Sequence, residues 1–141
     1  MTTGITIDLL EVGQSASFTK TLSESDIYLF AGITGDLNPA HVNEPYAQTT
    51  MFKGRIAHGM LAASFISTVL GMYLPGPGTI YLKQDLRFLA PVRIGDTITA
   101  TCSVKEMIIE RNRVVIDCVV TNQDGVDVIA GEAVVMPPKK A

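Results

Sequence analysis

The segment Gly59–Leu74, GMLAASFISTVLGMYL, constrains the fold more than any other part of the sequence. It is apolar on nearly every side of a helix and ends at Pro75-Gly-Pro-Gly, so we expect a buried helix rather than an amphipathic one. At 16 residues it is short for a membrane span, and Ser64, Ser67 and Thr68 interrupt it. Other elements of the chain must therefore wrap around this helix.

Four strand-like runs downstream of this helix can supply the wrapping. They are rich in Val, Ile, Thr and Leu and cover Thr79–Val92, Asp96–Ile108, Arg111–Thr121 and Val126–Met136. Turn signals separate them at Gly95-Asp96, Glu110–Asn112 and Asp124-Gly125. A strand within Ile5–Phe18 and a helix over Ser25–Ile33, preceded by N-cap signals, come earlier in the chain. We predict an α+β fold in which a curved antiparallel sheet wraps a long central helix.

Composition limits the number of domains and the kinds of partner. The 141 residues are enough for one domain, 1–141, with a substantial core, and the 47% of apolar residues also leave apolar surface for a subunit interface. A net charge of −3 without a dense Lys/Arg run argues against nucleic acid or an anionic membrane as the main partner. Cys102 and Cys118 lie in alternating strand-like sequence and are expected to be buried reduced thiols. No signal peptide is visible, so we expect a cytoplasmic protein.

A carboxylate, an amide and an imidazole lie close together in the segment Phe30–Ala47. Asp36, Asn38 and His41 fall within six residues around a proline. Gly35 can take positive φ, and the residue before a proline is biased away from helix, so the chain should turn here. Asp36 and Asn38 alone are also ordinary loop residues. Together with the imidazole, however, they are sufficient for a proton-transfer site.

The motif F-x-x-I-T-G-D-x-N-P-x-H, from Phe30 to His41, resembles the hydratase motif of the MaoC-like, R-specific enoyl-CoA hydratases, in particular the polyhydroxyalkanoate-associated group. Ala40 departs from the family, which carries a larger aliphatic residue there, and this thins the packing under His41. The resemblance also covers Ile56–Ser64 and Phe88–Val92 and extends over almost the whole chain. It implies a hot-dog fold, with the motif on an overhanging segment, and a homodimer in which two sheets become one.

The resemblance also implies an activity and a set of site residues. The reaction is the reversible syn hydration of a trans-2-enoyl-CoA to an R-3-hydroxyacyl-CoA, with a short acyl chain. Asp36 and His41 would hold the catalytic water between them, and which of the two takes its proton is left open. Gly59 would donate its N–H to the thioester oxygen, and Asn38 would tie down or orient the loop. Ser67 would either face the acyl slot or bond back to a helical carbonyl.

Three other functions remain possible at this point. A hot-dog thioesterase would hydrolyse the thioester on the same scaffold, although the motif spacing fits water addition better. A non-catalytic acyl-CoA-binding module would be expected to have lost Asp36 or His41. An acyl-carrier-protein dehydratase would share the fold and the reaction but would need a larger basic patch.

The remaining expectations concern ligands and supporting residues. The hydratase reaction needs no cofactor, since coenzyme A belongs to the substrate, and the His and Cys spacing predicts no metal site. His58 is expected to be structural, capping or orienting the start of the central helix. The cations proposed for the coenzyme A phosphates are Lys53, Arg55, Lys83 and Arg87. The sequence alone does not separate core from acyl pocket among Phe65, Leu70 and Met72.

Overall fold

The computed structural model describes residues 3–141. Its helices are α1 (Glu24–Thr34), α2 (Pro39–Val42), α3 (Glu44–Gln48) and α4 (Gly59–Met72). Its strands are β1 (Ser15–Thr21), β2 (Ile80–Gln84), β3 (Arg87–Phe88), β4 (Thr97–Ile108), β5 (Arg113–Thr121) and β6 (Asp127–Met136). Single 3-10 turns occupy Ile7–Leu9 and Ile109–Arg111.

The strands form one antiparallel sheet in the order β1-β4-β5-β6-β2, and β3 also pairs with β6. Alternate residues of β4 and β5 are buried, as expected for a sheet with one face on the core. Helix α4 lies against β4, β1 and β5, where Phe65 meets the ring of Phe18 edge-on at 5.7 Å. The predicted α+β arrangement of a central helix wrapped by an antiparallel sheet is confirmed.

Helix α4 buries only part of its surface in the described chain. Its buried side chains are Leu61, Ala62, Ala63, Phe65, Ile66, Val69 and Leu70. Four of its side chains are exposed: Met60, Ser64, Ser67 and Met72. The prediction that α4 is buried on nearly every side is therefore wrong for a single chain, because the sheet covers only one face of the helix. Phe65 and Leu70 thus belong to the core. Within residues 3–141, no helix has the length and apolar character needed to cross a membrane.

The predicted strand Thr79–Val92 is interrupted. Strand β2 ends at Gln84, β3 covers only Arg87 and Phe88, and no strand continues through residues 89–92. At the break, the Asp85 N–H donates to the Glu132 carbonyl at 2.9 Å, and the Glu132 N–H donates to the Asp85 carboxylate at 3.1 Å. A side-chain acceptor therefore replaces one main-chain bond of the ladder, and the chain bends toward the start of α4.

The other predicted elements agree with the structure apart from their ends. Strands β4, β5 and β6 begin one or two residues later than predicted, while the strand expected within Ile5–Phe18 is displaced to β1, after the 3-10 turn. The predicted helix over Ser25–Ile33 is α1, extended by one residue at each end. Cys102 and Cys118 are buried free thiols that form no disulfide, with their sulfur atoms 4.0 Å apart across β4 and β5.

Candidate active site

Asp36 is placed by the capping of α1. The helix begins with a capping box, in which Ser23 accepts the Asp26 N–H and the Asp26 carboxylate accepts the Ser23 N–H. It ends at Gly35, whose φ of 79° is a left-handed conformation that glycine adopts without strain. The next residue is Asp36, and its carboxylate accepts the Asn38 N–H at 3.1 Å. The exposed carboxylate therefore lies on a tight turn and not on a free loop.

Asn38 holds the short helix that carries His41. Its side-chain oxygen accepts the Ala40 N–H at 3.0 Å, and its main-chain carbonyl accepts the His41 N–H at 2.9 Å. Pro39 occupies the first helical position, where a missing N–H costs nothing. The Asn38 side chain is therefore used as an N-cap, which fits the predicted tie on the loop and leaves its role in catalysis a prediction.

The His41 ring presents a free nitrogen to the pocket. Its Nδ1 lies 2.8 Å from the carbonyl oxygen of Ile56, which can only accept, so Nδ1 carries the proton and Nε2 keeps its lone pair. Burial is the largest influence on the pKa of His41 and lowers it. The Ile56 carbonyl and the Asp36 carboxylate raise this pKa, whereas a positive charge on His58 would lower it further. A neutral imidazole with an exposed lone pair can accept a proton from water.

His58 packs directly on the His41 ring. The two ring centroids are 4.0 Å apart, and Phe30 covers the His58 ring at 4.8 Å. His58 is the N-cap residue of α4, but its side chain makes no cap bond to the helix. Its Nε2 instead donates to the Asp36 carbonyl at 2.9 Å, so side-chain capping is not observed and the role of orienting the helix start stays a prediction. The contact between the two histidines could not be predicted from their spacing in the sequence. Ligand atoms of Asp36, His41 and His58 lie within 4.8 Å of one another.

A cavity of about 530 Å³ opens beside these groups. Its polar lining comes from Asp36, His41 and His58. The other walls are apolar and include Phe52, Ile56, Phe88, Leu89, Val92 and Ile129. An apolar cavity of this size with a few convergent polar groups is typical of a small-molecule site.

Gly59 begins α4 at the wall of this cavity. Within residues 3–141 its N–H has no hydrogen-bond acceptor, as is usual for the first turn of a helix. A Cβ atom at this position would lie 2.7 Å from Cε1 of Phe88, so only glycine allows the ring to approach. An unpaired N–H at the positive end of a helix dipole is suited to binding a negatively charged oxygen.

Other predicted site residues lie elsewhere or have other partners. Ser67 is exposed two turns further along α4 and does not line the cavity, so its acyl contact stays a prediction. Arg55 bonds to Glu24 and to the His41 carbonyl, which leaves it poorly placed to bind a phosphate. Lys53, Lys83 and Arg87 are exposed and stay candidates for that role. The sequence did not predict that the Phe88 ring covers Gly59. The family resemblance includes Phe88 but does not give the position of its ring.

Comparison with known proteins agrees with this geometry. The MaoC-like domain family matches residues 10–125. An (R)-specific enoyl-CoA hydratase of Rhodospirillum rubrum is 61% identical over 131 residues, covering 93% of this chain and 90% of that protein. A 3-hydroxybutyryl-CoA dehydratase of Methylorubrum extorquens is 50% identical, covering 93% of this chain and 83% of that protein.

A solved structure is similar over the same extent. The unliganded R-hydratase PhaJ1 of Pseudomonas aeruginosa superposes with a TM-score of 0.91 at 47% identity, covering 97% of this chain and 88% of that one. The similarity therefore includes the sheet, the central helix and the overhanging segment that carries Asp36 and His41.

Proposed function

Since this chain belongs to the MaoC-like domain family, we propose that it is an R-specific enoyl-CoA hydratase. The observation that carries the proposal is the pairing of the Asp36 carboxylate with the lone pair of His41 Nε2 at one apolar cavity. A thioester chain can lie along the apolar walls while its double bond meets the two proton-transfer groups. The enzyme adds water across a trans-2-enoyl-CoA and, in reverse, dehydrates an R-3-hydroxyacyl-CoA.

The proposed reaction places a water molecule between Asp36 and His41. One of the two groups takes a proton as the water oxygen bonds to C3, and the electrons of the double bond move to the thioester oxygen as an enolate. The enolate then takes a proton at C2 from the same face, which gives syn addition. Two adjacent proton-transfer groups are sufficient for both steps.

Gly59 is the proposed donor to the enolate oxygen. Its N–H has no partner within the described chain, and it lies at the start of a 14-residue helix at the cavity wall. A donor aimed at charge that develops during the reaction stabilises the transition state more than the ground state. The absence of a side chain allows the thioester to approach that N–H.

A short acyl chain is the proposed substrate class. The 3-hydroxybutyryl-CoA dehydratase among the relatives supports it, since its name specifies a four-carbon acyl group. The proposed reaction uses no cofactor, and coenzyme A enters only as part of the substrate. The unbonded cysteines are in keeping with the reducing conditions of the cytoplasm, the proposed location.

The test follows crotonyl-CoA by the loss of its enoyl-thioester absorbance, with chiral analysis of the product. We expect R-3-hydroxybutyryl-CoA from the wild type and a loss of about 10²-fold or more in kcat for Asp36→Asn and His41→Gln. Asp124→Asn is the matched control, because Asp124 is an exposed carboxylate in the turn before β6. Its kcat should equal that of the wild type.

Two results would contradict the proposal. Free coenzyme A without hydroxyacyl product would identify a thioesterase. Saturable binding of enoyl-CoA thioesters of several chain lengths, without turnover of any of them, would identify a non-catalytic acyl-CoA-binding protein.

A homodimer is part of the proposal. Strand β2 ends the sheet order, and it has no strand on its outer edge within residues 3–141. Its side chains Ile80, Tyr81 and Leu82 are exposed. An unprotected apolar edge strand favours pairing with another chain, so we expect β2 to contribute to a dimer interface. Light scattering should therefore give twice the 15.1 kDa of one chain, and a monomer at micromolar concentration would contradict this part of the proposal.

A further inference from the structure

The main-chain carbonyl of His41 cannot be paired by its own helix. Helix α2 ends at Val42, and in a longer helix this carbonyl would accept the N–H of the residue four positions on. That residue is Pro45, which has no N–H. His41 is nearly buried, with 9% of its surface exposed, so its carbonyl needs a donor from elsewhere.

The side chain of Arg55 supplies this donor. Its Nε–H donates to the His41 carbonyl at 2.7 Å, and its Nη1 donates to the Glu24 carboxylate at 2.6 Å. Only 11% of the Arg55 side chain is exposed, and the guanidinium lies over the ring of Tyr28 at 5.4 Å. A planar fork with several donors can hold a carbonyl and a carboxylate at once, which an ammonium group cannot do with the same geometry.

The main chain of Arg55 and Ile56 also bonds to His41 and to its neighbours in the sequence. The Ile56 N–H donates to the Ala40 carbonyl at 3.3 Å, and the Ile56 carbonyl accepts the Nδ1 proton of His41. The Arg55 N–H donates to the Glu44 carboxylate at 3.1 Å. The main chain of Arg55 and Ile56 therefore bonds both to the segment that carries His41 and to the ring of the histidine.

We propose that Arg55 is a positioning residue for His41, which ties the histidine backbone to α1 through Glu24 and so holds the ring in its working orientation. The inference rests on the proposed hydratase function. Arg55 acts through His41 and does not itself touch the reacting atoms.

Loss of this guanidinium leaves the His41 carbonyl without its donor and the Glu24 carboxylate without its cation. The histidine can then shift on its short helix, and a displacement of about 1 Å at a catalytic group can cost about 10²-fold in rate. The charged and titratable groups around His41 are Asp36 and His58 near its ring, and Arg55 with its two carboxylate partners, Glu24 and Glu44, near its backbone. A ring that moves toward water loses part of its burial, so its pKa should rise toward the ordinary value.

The test compares kcat, KM and the pH profile of kcat/KM with crotonyl-CoA for Arg55→Gln, Arg55→Lys and Glu24→Gln. Arg113→Gln is the matched control, since Arg113 also donates to main-chain carbonyls, at 2.9 and 3.2 Å, but at the distant β4–β5 connection. For Arg55→Gln we expect kcat to fall by about 10- to 100-fold with KM within twofold, and the acid limb to move to higher pH. The kcat values of Arg55→Lys and Glu24→Gln should lie between those of Arg55→Gln and the wild type.

Circular dichroism at the assay temperature shows that each variant is folded, and the two milder variants carry the test if Arg55→Gln does not fold. Folded variants with wild-type kcat would overturn the inference. A rise in KM at unchanged kcat would also overturn it, because it would assign Arg55 to substrate binding. An inactive wild type would refute the hydratase function itself, and this result is separate from any difference between the variants.

Discussion

Alanine at position 59 adds one methyl group where α4 begins and the Phe88 ring closes over it. The added Cβ would lie 2.7 Å from Cε1 and 2.8 Å from Cδ1 of that ring, and ordinary contact at 3.4 Å requires a retreat of about 0.7 Å. The Phe88 side chain is 55% exposed, so the ring can move at little cost to folding. The Gly59→Ala variant keeps the main-chain N–H, and any loss of rate therefore reports the space in front of that donor.

The expected loss follows from this displacement. A misplacement of about 1 Å can cost about 10²-fold, and the complete loss of one oxyanion donor costs about 10²- to 10³-fold. We therefore expect kcat of Gly59→Ala to fall by about 10- to 100-fold. The free energy of unfolding should change by less than about 1 kcal/mol, the scale of the Gly-to-Ala difference in helices.

The assay is hydration of crotonyl-CoA, together with a denaturant melt. Gly32→Ala is the matched control, because Gly32 lies inside α1 and, apart from its chain neighbours and the local helix backbone, no atom comes within 4 Å of its added Cβ. The control should keep its kcat and gain stability by up to about 1 kcal/mol. A Gly59→Ala enzyme with at least half the wild-type kcat would refute the need for close approach at position 59.

Three further predictions concern protonation and capping. Burial holds the pKa of His41 below 6.5, so the acid limb of kcat/KM should be centred below pH 6.5, and a limb above that value would contradict a neutral buried base. The unfolded histidine binds a proton more tightly than the folded one, so protonation of His41 should lower the free energy of unfolding as the pH falls through about 6.5. The loss of stability that comes from this histidine should be absent in melts of His41→Gln. Ser23→Ala removes the cap of α1 and should cost about 1 kcal/mol in a denaturant melt with kcat unchanged, and an unchanged melt would contradict the capping argument.

Elements that depend on their own segment could be predicted from the sequence. The capping residues before α1 fixed its start, and Gly35 fixed its end, so Asp36 was correctly expected on a turn. The β-branched runs after residue 95 predicted β4, β5 and β6 to within two residues. These signals are local, and the structure agrees with them because no distant contact overrides them.

Features that depend on distant contacts could not be predicted in this way. The run Thr79–Val92 has uniform strand character, and the bend within it results from bonds between Asp85 and Glu132, 47 positions apart. The contact of His58 with His41 is also invisible in sequence spacing. Ser67 is exposed because one chain covers only one face of α4, and an isolated sequence gives no measure of how far a sheet wraps.

The overhanging segment owes its order to side chains rather than to regular helix. Prolines at 39 and 45 break the chain into pieces of four and five residues, which are too short to pair all of their own main-chain groups. Asn38 and Asn43 accept the orphan N–H groups of Ala40 and Tyr46, and Arg55 donates to the orphan carbonyl of His41. Each break thus leaves main-chain groups that a specific polar side chain pairs, and the position of the proposed catalytic imidazole depends on these few bonds. Substitutions at Asn38 and Asn43 should therefore reduce activity well before they unfold the sheet and α4, which have a separate apolar core.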